Sequence, residues 1–74
     1  MKPSEAIRQI MAIEGITPTR LAEKIGITKQ SLYSRLASPH MYADTVADTV
    51  APMGYRLVLM PPDADIPLDA FPVE

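Results

Sequence analysis

The absence of cysteine is the feature that most restricts what this chain can fold into. Its 74 residues make one domain at most. A domain of that size buries only about 60% of the surface its unfolded chain exposes, which leaves a thin margin of stability. Small domains make up the difference with disulfides, a structural metal or a partner subunit. The first is excluded here, and a lone histidine, His40, offers no ligand set for zinc. The chain is therefore expected to self-associate and to need no metal or cofactor.

The apolar fraction, 47%, is ordinary for a globular domain. The longest apolar run, Leu57 to Pro62, is far too short to span a bilayer. Met1 to Glu5 leads straight into amphipathic sequence without the apolar block of a signal peptide, so a cytoplasmic location is expected. The net charge of −2 conceals an asymmetry. Residues 1–60 hold all seven Lys and Arg against five acids, a net +2, whereas residues 61–74 hold four acids and no base. A local basic face decides whether a chain binds a polyanion, and the total does not.

Local signals divide the first 54 residues into four short helices. Ser4 is placed to cap a helix running to about Glu14, with Ile7, Ile10 and Met11 along one stripe, and Gly15 ends it. Thr17-Pro18 supplies a cap and a first-turn proline for a second helix, Pro18 to Ile25. Gly26 and Ile27 then lead to Thr28, which caps a third helix from Lys29 to about Ala37, and Ser38-Pro39 closes it. A fourth helix spans roughly Tyr42 to Ala51, with Val46, Val50 and Met53 in register, ended by Pro52 and Gly54.

Tyr55 to Met60 has the composition of a β-strand, bounded by Pro61-Pro62. A lone strand leaves its backbone unpaired, and Pro67 and Pro72 disqualify the tail as a partner within the chain. The same strand from a second copy is the natural partner, which makes Arg56, Leu57, Val58, Leu59 and Met60 the expected homodimer interface. Residues 61–74 form an acidic, proline-interrupted tail, expected to be disordered or loosely packed, with docking through Ile66, Leu68 and Phe71 as the alternative.

The stretch carrying chemical information is Thr17 to Leu36, two short helices joined by a tight turn. Leu21, Ile25, Ile27, Leu32 and Leu36 supply its apolar side, and Ala22 the small residue that close helix crossing requires. The third helix presents Gln30 and Ser34 opposite that side, flanked by Tyr33 and Ser31, with Thr28 and Lys29 at its start. No acid occurs between Thr28 and His40. A face that reads the major groove needs this, because carboxylates meet phosphate repulsion. Gln30 suits adenine, Lys29 suits guanine or a phosphate, and the hydroxyls of Thr28, Ser31, Tyr33 and Ser34 suit phosphate or water-mediated contacts. Arg20 and Lys24 on the second helix are phosphate candidates.

At Leu21-Ala22-Glu23-Lys24-Ile25-Gly26-Ile27-Thr28, followed by Leu32, the sequence resembles the phage repressor and Cro class of helix-turn-helix proteins. The resemblance covers the four helices, about 50 residues. It implies base contacts at Thr28, Lys29, Gln30, Tyr33 and Ser34, and dimerisation through a C-terminal strand. Two positions depart from the class: Pro18 stands where glutamine often contacts a phosphate, and Arg35 stands at a late aliphatic position of the recognition helix.

The expected fold is mainly α, a four-helix helix-turn-helix domain over residues 1–60 whose strand, 55–60, pairs across a dimer. The expected function is sequence-specific binding of double-stranded DNA at a palindromic operator by a homodimer, as a transcriptional repressor. An antitoxin-like protein that binds DNA and a partner protein is one alternative. A protein-interaction module without DNA binding is the other. No nucleophile constellation or glycine-rich phosphate cradle points to an enzyme.

Overall fold

Cap chemistry sets where the first three helices begin. The computed structural model covers Met1–Glu74. It contains α1 (Pro3–Glu14), α2 (Pro18–Ile25), α3 (Lys29–Ala37) and α4 (Ala43–Val50), followed by a single 3-10 turn, Ala51–Met53. Helix α1 begins one residue before the expected cap. Pro3 takes its first position, and the Glu5 carboxylate reaches back to accept from the Lys2 backbone N–H at 3.3 Å. Thr17 and Thr28 cap α2 and α3 as their positions suggest, each hydroxyl accepting from the N–H three residues on, at 3.2 and 3.1 Å.

The turn between α2 and α3 depends on Gly26, whose φ of +88° lies in the left-handed region. Its N–H and that of Ile27 both donate to the Ala22 carbonyl, at 2.9 and 3.0 Å, closing α2 within one residue of its end. Helix α3 can thus start two residues later and pack back on α2.

Ile7, Leu21 and Leu32, one from each of the first three helices, are wholly buried. Ile10, Met11, Ala22, Leu36, Val50 and Met53 join them in a single apolar cluster, with Ile16, Ile25, Ile27 and Met41 packed at its margin. The apolar stripes expected for α1 and α3 face this cluster, as do Val50 and Met53 of the fourth stripe, whereas Val46 is buried outside it. No helix is long and apolar enough to cross a membrane.

The expected C-terminal strand is absent: Tyr55 to Met60 runs on without β pairing. The reason is physical, since a ladder needs a second strand and this chain contains none. No backbone group from Arg56 to Met60 hydrogen-bonds within the chain. Leu57, Val58, Leu59 and Met60 are all exposed, Leu59 at 97%.

The acidic tail, residues 61–74, makes contacts with the domain. Two turns, closed by Ala64 N–H to the Pro61 carbonyl and Ala70 N–H to the Pro67 carbonyl, bring it back onto the domain. There the half-buried Phe71 ring lies 5.9 Å from the Tyr55 ring, tilted at 59°, and packs against the core. Glu74 N–H donates to the Met1 carbonyl at 3.0 Å, and the Met1 ammonium donates to the Pro72 carbonyl at 3.3 Å. Leu68 and Ile66 are exposed instead, so of the three residues expected to dock only Phe71 packs against the core. Phe71→Ala is expected to weaken tail docking by about 1 kcal/mol, speeding proteolysis within residues 61–74 roughly fivefold while the helical content stays constant. An unchanged cleavage rate would show that Phe71 does not hold the tail.

Candidate nucleic-acid interface

Leu32 and Leu36 turn α3 so that Gln30 and Ser34 face away from the core. Thr28, Lys29, Gln30, Ser31, Tyr33 and Ser34 are all exposed, and the structure brings them together on one short helix and its cap. Helical periodicity puts Gln30 and Ser34 at the centre of the outward face, Lys29 and Tyr33 along one edge, and Ser31 along the other.

These groups are not equally free. The Thr28 hydroxyl accepts from Ser31 N–H and donates to the Ser31 hydroxyl at 3.0 Å, so both serve first as the helix cap. The Lys29 ammonium sits 5.9 Å from the centre of the Tyr33 ring, within range of a cation–π contact that holds both on the same edge. Gln30 and Ser34 side chains make no hydrogen bond within the chain. Their full hydrogen-bonding capacity faces solvent, which is what readout of a base edge requires.

On α2, Arg20 and Lys24 are both exposed. Arg20 approaches Glu23 to 4.0 Å, a solvent-screened pair of little energetic weight, and Lys24 has no ionic partner. Arg56 to Met60 lie exposed and make no backbone hydrogen bond within the chain. His40 is exposed in the loop after α3, where its backbone meets the Ser38 hydroxyl.

Arg35 is half-buried, and its Nη1 donates to the Thr49 hydroxyl on α4 at 3.1 Å. Thr49 is wholly buried and donates in turn to the Thr45 carbonyl at 2.7 Å. A signal for this existed: Arg35 and Thr49 are both polar at positions where their helices should be apolar, and each accounts for the other. Comparison with family models, curated proteins and solved structures gives no match.

Proposed function

We propose that this chain is a sequence-specific DNA-binding transcriptional regulator, most simply a repressor, acting as a homodimer on a near-palindromic operator. The observation that carries this reading is the outward face of α3: acid-free, exposed, and centred on Gln30 and Ser34 with unused hydrogen-bonding groups. A short helix packed on its neighbour through a tight glycine turn suits insertion into the major groove. Gln30 and Lys29 would read base edges, and Arg20 and Lys24 would hold phosphates.

The exposed, unpaired segment Arg56 to Met60 supports the dimer, because a second copy would cover its apolar side chains and satisfy its backbone groups together. A twofold arrangement would set the two α3 helices about 34 Å apart, matching successive major grooves. Repression would follow from occupancy of the operator.

Two substitutions separate reading from holding. Gln30→Ala is expected to relax preference at one base position and cost about 1–3 kcal/mol on the preferred site. Lys24→Ala is expected to weaken all duplexes alike and to flatten the salt dependence of binding. Identical behaviour of the two variants in a titration series would contradict the assignment of α3 as the reading helix.

An antitoxin-like second reading gains support from one observation: Leu68 and Ile66 stay exposed while Phe71 is docked. The outer side of the tail would then be the surface that meets a partner protein.

A further inference from the structure

We infer that Arg35 is a third phosphate-binding cation beside Arg20 and Lys24, held at the seam of α3 and α4 to contact the duplex backbone on the side of α3 away from Lys29. This rests on the DNA-binding reading and adds to it a residue at a position that carries an aliphatic side chain in the class this chain resembles.

Three observations point the same way. Arg35 is half-buried yet has no counter-ion, since the ion pairs of the chain are Met1 with Glu74 and Arg20 with Glu23. Its fixed partner is a neutral hydroxyl, that of the wholly buried Thr49, which is itself tied to the Thr45 carbonyl. A guanidinium carries five N–H donors, and this contact uses one. The neighbouring acids of α4, Asp44 and Asp48, are exposed and neither pairs with it. The chain therefore holds this positive charge without a counter-ion. An arginine serving only to join two helices would be better matched by a carboxylate, which bonds it more strongly.

The placement fits a groove. Arg35 follows Ser31 by one turn, on the edge of α3 opposite the one that Lys29 and Tyr33 occupy. The outward face centred on Gln30 and Ser34 is thus bordered by a cation on each side. Phosphates line both lips of a major groove, so a helix seated there meets them along both edges. Anchoring by Thr49 removes rotamer freedom before binding, which lowers the ordering cost of the contact. Partial neutralisation by the C-terminal turn of α3 also favours a cation at this place, but the helix alone would not demand that its donors remain unused.

The test is the salt dependence of duplex binding by the full chain, between 50 and 200 mM salt, for wild type, Arg35→Gln, Arg35→Leu and Arg35→Lys. Thermal melting of each variant is recorded alongside. Arg35→Gln keeps a donor for Thr49 and removes the charge, and Arg35→Leu restores an apolar side chain. Each should bind all duplexes several-fold more weakly, with unaltered sequence preference and a log–log salt slope shallower by about 0.9. Arg35→Lys should retain a slope near that of wild type. A folded Arg35→Gln whose slope equals that of wild type overturns the inference and leaves the DNA-binding reading standing. A folded wild type that binds no duplex at any salt removes both.

Discussion

Replacing Leu32 with alanine is expected to cost about 2–5 kcal/mol of folding stability, a large share of what a chain of this size possesses. Leu32 is wholly buried where α1, α2 and α3 meet, so its removal leaves a cavity bounded by all three helices. At roughly 0.05–0.15 kcal/mol per residue, the domain holds only about 4–11 kcal/mol in total. Each kilocalorie shifts the melting midpoint of so small a domain by about 4–8 °C, and thermal melting followed by circular dichroism reads the loss directly. A midpoint within about 4 °C of wild type, the shift for less than 1 kcal/mol, would mean that Leu32 is not a core residue. The rotation assigned to α3, and with it the outward placement of Gln30 and Ser34, would then be wrong.

The second large effect concerns assembly. Val58→Pro is expected to abolish self-association while leaving the monomer's melting behaviour nearly unchanged. The Val58 N–H donates to nothing within the chain, and its side chain is 57% exposed, so the fold loses no hydrogen bond and little packing. A pairing of two copies along Arg56 to Met60 loses a donor at its centre and meets the proline ring instead. Because two linked half-sites bind more tightly than one, apparent affinity for a palindromic duplex should fall by on the order of 10²-fold or more. Sedimentation equilibrium tests the mass, and an unchanged dimer would place the interface elsewhere on the surface.

Helix boundaries set by local chemistry were legible in the sequence. Thr17-Pro18, Gly26, Thr28 and Ser38-Pro39 each act on residues within four positions, and α2 and α3 occupy Pro18–Ile25 and Lys29–Ala37 as those signals indicate. The start of α1 was less legible, because Ser4 and Lys2 compete for the cap and the Glu5 side chain decides in favour of the latter.

What could not be read depended on distant partners. The Arg35–Thr49 bond joins residues 14 apart, and the Phe71–Tyr55 stacking joins residues across two turns. The segment after Gly54 is a different case. The composition of Tyr55 to Met60 suggested a strand, but pairing is a property of two segments and a single chain supplies one, so no regular element forms there. The outward face of α3 followed from its apolar stripe, whereas the use of Thr28 and Ser31 as a mutual cap emerged only with the geometry.

Whether α3 reads duplex DNA is decided by selection of bound sequences from a random duplex library at about 100 mM salt. A homodimer with α3 as its reading helix recovers a twofold-symmetric motif whose half-sites lie about one helical turn apart. Retention of no duplex, even at low salt, would contradict that role of α3.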